Sequence, residues 1–273
     1  MELLLLGTAA AEAWPAPFCL CEACEAARKL GGPNVRTRSG ALIDNELKID
    51  FGPDTVMQLQ RTGRNLSRVR TLIFTHQHSD HFTPAELEWA AHPFTLTPPR
   101  PGSIELCGNA QVMAEIQRTF AQNKHELPYI YREFKAGDHF KTKAGEEIWA
   151  MPAQHVAGAC LLRIRRDGKT ILYGHDSGAY PAETIERLSD GIKLDIALFD
   201  CTYGSADNDR GHLGAPVVVR TAAELRKRGA IVDSTRVIAT HFSHGGKWMY
   251  QDLVRYFMPH GIEVSYDGMV VTA

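Results

Sequence analysis

The segment Thr75-His76-Gln77-His78-Ser79-Asp80-His81 puts four metal-competent side chains within six residues, directly after the apolar run Thr71-Leu72-Ile73-Phe74. Side chains alternate in direction along extended backbone, so His76 and His78 project the same way and can share one ion. Asp80 and His81 lie past the bend and are free to serve a second. Neutral imidazoles with a carboxylate suit zinc, manganese or iron. The pattern is that of a strand delivering ligands into a tight loop.

Other short apolar runs end the same way. Ile148 to Ala153 approaches His155, Thr170 to Gly174 precedes His175-Asp176, and Arg236 to Thr240 precedes His241. Strand ends therefore converge on one edge. Helical patterns lie between the strands at Pro84 to Ala91, Ala110 to Ala121, Ala182 to Leu188 and Ala215 to Arg228, so the chain is of the mixed α/β class. Thr83-Pro84-Ala85-Glu86 carries a helix start: Thr can cap, Pro fits the first turn, and Glu three residues on completes a capping box. The Pro-rich stretch Thr97 to Gly102 is too short to separate folding units, and the expectation is a single domain over residues 1–273 built of two similar layers.

With 44% hydrophobic residues the chain can bury a substantial core, and 30 basic against 32 acidic side chains give no global field for drawing in polyanions. The start Met1-Glu2-Leu3-Leu4-Leu5-Leu6-Gly7 has no basic leader, and no apolar run reaches membrane-spanning length, which predicts a cytoplasmic protein. Cys107, Cys160 and Cys201 are spaced singly and read as buried small hydrophobes. His92, His125, His139 and His260 read as solvent-facing, and His175 as a packing or supporting residue.

A two-metal site needs roughly seven ligands from several strand ends, and His155, Asp176 and His241 supply the later ones. Together, His76, His78, Asp80, His81, His155, Asp176 and His241 resemble the ligand set of the metallo-β-lactamase superfamily. The resemblance covers most of the chain and implies a four-layer αββα sandwich with two divalent ions, manganese, zinc or iron, at one edge. It assigns His76, His78 and His155 to one ion and Asp80, His81 and His241 to the other, with Asp176 bridging.

Cys19-Leu20-Cys21-Glu22-Ala23-Cys24 is dense for a chain otherwise sparing of Cys, and His244 follows His241 by three residues. Three thiols and an imidazole make a closed tetrahedral zinc site, structural because no position stays open. With Thr240-His241-Phe242-Ser243-His244 and Tyr266-Asp267-Gly268-Met269, this pattern resembles the PhnP-type phosphodiesterases of bacterial phosphonate breakdown. The resemblance implies a small-molecule phosphodiester substrate, a cyclic ribosyl phosphate among them, and attack on phosphorus by a metal-bridged hydroxide. It also implies a catalytic part for a further His between the bridging Asp and the last metal His. His212 stands in that interval, so His212, Asp80 and Asp176 are the catalytic candidates.

Two rivals share the fold. A ribonuclease of the tRNA-maturation type has the same ligand motif but adds a protruding arm, for which no insertion exists here, and the acidic balance argues against a nucleic-acid partner. Arg61, Arg64, Arg68 and Arg70 form a basic stretch whose plain reading is a solvated face leading into a strand. Redox and dioxygenase members of the fold form the other rival. The amphipathic stretch Ala110 to Asn123 suits a homodimer contact, a substrate wall, or packing on its own domain.

Overall fold

The computed structural model describes all 273 residues. The first sheet takes β1 (Glu2–Gly7), β2 (Gly40–Ile43), β3 (Leu47–Ile49), β4 (Thr71–Ile73), β5 (Ile104–Gly108) and β6 (Tyr129–Glu133). The second takes β7 (His139–Lys141), β8 (Glu147–Pro152), β9 (Cys160–Arg166), β10 (Lys169–Gly174), β11 (Ile196–Asp200), β12 (Arg236–Thr240) and β13 (Ile262–Val264). The last strand, β14 (Met269–Thr272), returns to pair antiparallel with β1, so the orders are β14-β1-β2-β3-β4-β5-β6 and β13-β12-β11-β10-β9-β8-β7. In each sheet an antiparallel half gives way to a parallel half, β3 through β6 and β10 through β13.

Alternation along the strands explains the layering. Leu3 and Leu5 of β1, Ile171 and Tyr173 of β10, and Ile196 and Leu198 of β11 point between the sheets into one apolar cluster. Their neighbours Leu4 and Leu6 point outward, toward Leu59 of α2 (Thr55–Thr62). On the other outer face, Leu172, Ala197 and Phe199 pack with residues of α5 (Ala215–Lys227) and α6 (Tyr250–Phe257). Strands with both faces buried read as continuous apolar runs, which is why these segments are so uniformly hydrophobic. Helices α1 (Glu22–Leu30), α3 (Ala110–Phe120) and α4 (Ala182–Leu188) complete the outer layers, giving the four-layer αββα sandwich. No helix is long and apolar enough to cross a membrane.

The expected helix after the metal loop takes a tighter form. Pro84–Ala90 is a 3-10 helix, Thr83 caps nothing with its side chain, and its buried Oγ1 has no partner. Glu86 N–H bonds the Thr83 carbonyl at 3.1 Å, so backbone does the work assigned to the capping box. The boundaries of α3, α4 and α5 agree with the periodicity to within a residue, and the three single cysteines are buried.

Candidate metal centre

The site forms where β4, β8, β10, β11 and β12 end. His76 to His81 make a tight turn closed by His81 N–H and Phe82 N–H on the His78 carbonyl, at 3.0 and 2.9 Å. The turn rests on Gly52, where a Cβ would stand 2.0 Å from the Asp80 carbonyl oxygen. Asp50, Asp176 and His241 adopt left-handed backbone, with φ of 56°, 56° and 60°, each just past a strand. Asp and His tolerate this region better than most residues, and such geometry concentrates at functional sites.

Two sets of donor atoms converge. In one, His155 Nε2 stands 3.2 Å from His78 Nδ1, with His76 completing the group. In the other, His81 Nε2 lies 3.0 Å from Asp80 Oδ2 and 3.2 Å from Asp176 Oδ2, and His241 Nε2 lies 3.2 Å from the same Asp176 oxygen. The second carboxylate oxygen, Asp176 Oδ1, faces His155 Nε2 at 3.8 Å. Asp176 thus presents one oxygen to each set. All seven residues read from the sequence meet here.

The supporting contacts set the tautomers. His81 Nδ1–H donates to Asp50 at 2.7 Å, His241 Nδ1–H to the Thr202 hydroxyl at 2.9 Å, and His76 Nδ1–H to the Thr75 hydroxyl at 3.0 Å. Each bond leaves the Nε2 lone pair bare, the arrangement a metal-binding imidazole requires. Nε2 of His76, His81 and His241 is buried without any hydrogen-bond partner, His81 Nε2 being near both carboxylates but aligned on neither. Ligands about 2.0–2.1 Å from a tetrahedral ion stand about 3.3 Å from one another, close to the separations above. These residues fit two divalent cations.

Electrostatics agree. Burial holds His241 down to about 4 and His76 well below the usual imidazole range, so both are neutral near pH 7. Burial also opposes ionisation of Asp176 and Asp80, but neighbouring His241 and His81 outweigh it and hold both carboxyls below the usual range. Burial likewise disfavours charge on His81, yet Asp176 and Asp50 raise its pKa well above normal. A spot that draws a proton this strongly draws a metal cation for the same reason.

His212 lines the same cavity, of about 320 Å³, with Glu12, Tyr203 and Ser243. Its Nδ1–H donates to Asp200 at 2.8 Å, and although burial works against protonation, that bond raises the imidazole to about 9. Asp200 also accepts the backbone N–H of Asp176, Thr202 and Leu213. Sequence reasoning missed Asp50 and Asp200, though each ends an apolar run as the ligands do. His175, read as a supporting residue, donates Nδ1–H to Asp176 at 2.5 Å, and its Nε2 has no partner. His92, His139 and His260 are exposed, while His125 is half-buried near Glu88.

The cysteine group lies next door. Cys21 Sγ and Cys19 Sγ stand 3.4 and 3.7 Å from His244 Nδ1, Cys24 joins them, and none forms a disulfide. The Cys24 backbone N–H leads in favouring the Cys21 thiolate and pulls its pKa down to about 6, while burial pushes Cys24 up to about 11. Glu12 joins this group to the cavity, approaching His244 Nε2 at 3.5 Å and accepting from Ser243.

Residues 46–242 match the family model described as the beta-lactamase superfamily domain. No curated protein sequence matches the chain. Among solved structures, a diphosphatase of the PhnP family aligns at 19% identity and TM-score 0.75, over 100% of this chain and 97% of its own. Zinc-bound PqqB from Methylobacterium extorquens aligns at 17% identity and TM-score 0.78 over 100% of both chains. The short form of human tRNase Z aligns at 19% and TM-score 0.66, over 100% of this chain and 99% of its own. At these identities the likeness is one of fold.

Proposed function

The chain belongs to the β-lactamase superfamily and is a metal-dependent hydrolase, and from that premise we propose that it cleaves small phosphodiesters, cyclic ribosyl phosphates among them. The observation that carries this reading is the pairing of an Asp176 carboxylate shared between two donor sets with His212, an imidazole held protonated at the wall of the same small cavity. Phosphodiester cleavage requires compensation of phosphate charge at one place and proton delivery to a departing alkoxide at another.

His76, His78 and His155 would hold one divalent ion, Asp80, His81 and His241 the other, and Asp176 would touch both. When bound, two such ions supply Lewis acidity and lower the pKa of water. The chain's own residues do the rest. Asp50 and Thr202 fix the rings of His81 and His241. Asp200 orients His212 by Nδ1, leaving Nε2–H to protonate the leaving oxygen. A cavity of about 320 Å³ suits a small diester better than folded RNA. Cys19, Cys21, Cys24 and His244 would hold a structural zinc that keeps Glu12 and Ser243 at the cavity wall.

The test is hydrolysis of bis(p-nitrophenyl) phosphate by protein loaded separately with manganese and zinc, with Asp80→Ala/His81→Ala as the blank. Metal-dependent turnover absent from the blank is expected. No turnover from protein with metal verified as bound would defeat the phosphodiesterase reading.

A further inference from the structure

Arg68 and Arg70, singled out in the sequence as part of a basic stretch, do not belong to the metal centre. They line a cleft of about 710 Å³ with Arg100 and Lys143, at the start of β4, whose other end delivers His76. All four cations are exposed. Arg68 pairs with Glu46 at 2.8 Å, but Glu46 is also engaged by Arg166. Arg70, Arg100 and Lys143 make no ion pair, and only two of the eleven residues lining the cleft are apolar.

Against this cleft lies a second cavity of about 600 Å³ with the opposite character, eleven of its nineteen lining residues being apolar. Leu59, Leu66, Leu72, Leu87, Trp89 and Ile104 supply its walls along the outer face of the first sheet. Ser67, Val69, Pro99 and Arg100 line both spaces, so the two adjoin along these four residues. Lys48 reaches the apolar cavity, but its ammonium donates to the carbonyl oxygens of Ile49 and Asp50, and its stem is what can meet a ligand. Glu86, the carboxylate of this cavity, is pushed toward its neutral form by burial. Both volumes are those of small-molecule sites, which combine apolar walls with a few placed polar groups.

We propose that the two cavities form one binding site for a phosphate-headed amphiphile, separate from the metal centre. The head sits among Arg70, Arg100 and Lys143, and the apolar body lies in the Leu66–Trp89 cavity. Three unpaired cations exceed what a single carboxylate would balance, and the guanidinium fork matches phosphate oxygens.

Decyl phosphate below its micellar concentration, titrated by calorimetry, is the probe. One saturable site is expected in wild-type protein and equally in Asp80→Ala/His81→Ala, which lacks donors of the metal centre. Decanol alone and inorganic phosphate alone should each bind at least about tenfold more weakly, and Arg70→Gln/Arg100→Gln should lose at least about tenfold in affinity. Both arginines are exposed, so that variant keeps its core. Sedimentation with phosphatidylcholine vesicles containing phosphatidate, abolished by the same arginine changes, would assign the head group to a membrane lipid; saturable decyl phosphate binding without sedimentation would assign a free ligand. Absence of both, unchanged affinity in the arginine variant, or loss of binding in Asp80→Ala/His81→Ala overturns the proposal.

Discussion

At the scale of single residues, the two catalytic candidates Asp176 and His212 separate by what their loss would leave behind. Asp176 offers an oxygen to each donor set, so Asp176→Asn removes charge from both. Metal analysis of the purified variant should show about two equivalents missing, with activity lost in parallel; two retained ions would refute the bridge. His212 packs on the rings of His155 and His241 but spends its Nδ1–H on Asp200 and hydrogen-bonds none of the seven ligands, so His212→Ala should keep its metal. Its loss matters only when the leaving group needs a proton. Turnover of an alkyl phosphodiester should drop by about 10²–10⁴-fold, while a p-nitrophenyl ester, whose leaving group departs as a stable anion, should change little. An equal loss with both substrates would make His212 a positioning residue. The sign of the pH effect follows from its raised pKa: the proton is present at lower pH and lost as pH rises through about 9.

At the scale of elements, the cysteine loop ahead of α1 is held by Arg28 on the Ala16 and Cys19 carbonyls and the turn at His244 by the Ser243 hydroxyl, and the proposed zinc would join the two. Cys21 is exposed, so Cys21→Ser disturbs no packing and tests the clip alone. Zinc content should fall by one equivalent and the melting temperature by about 5–10 °C, with the catalytic pair still loading; loss restricted to the catalytic ions would contradict the assignment. These elements also show what a sequence makes legible. Runs such as Arg236 to Thr240 announced both their strand and the ligand after it, because apolar continuity and a terminal His are local signals. Asp50 and Asp200 end strands in the same way, yet Asp is so common at turns that only their contacts, His81 Nδ1 and His212 Nδ1, reveal their work. Thr83 failed in the other direction. A motif that can cap an α-helix was present, but the seven residues wound as 3-10 and left the hydroxyl unused. The pairing of a basic cleft with an apolar cavity was illegible because Ser67, Pro99 and Lys143 meet only through the fold.

At the scale of the whole molecule, the sandwich has to be held at the pole away from the metals, where no bound ion would tie the sheets together. Arg166 of β9 does this from the second sheet. It bonds Glu146 at 3.1 Å and reaches across to Glu46, in the turn between β2 and β3 of the first sheet. Glu146, fully buried, also accepts from Thr71 of β4 at 3.0 Å. Removing Glu146 would leave the Thr71 and Thr142 hydroxyls without their acceptor while Arg166 keeps Glu46 and Asp44, and Glu146→Ala should cost about 1–3 kcal/mol in urea unfolding. The same network sets an acid limit. Hydrogen bonding to Arg166 leads in holding Glu46 below its ordinary value of 4.5. A carboxylate depressed in the folded state stabilises fully above its unfolded pKa and stops doing so as pH falls through the folded one. The contribution of Glu46 should therefore be flat across neutral pH and fade below about 4.5, and in Glu46→Gln the acid decline in stability should be shallower. An unaltered acid slope in Glu46→Gln would take Glu46 out of the sheet-to-sheet tie and leave Glu146 as its remaining anchor.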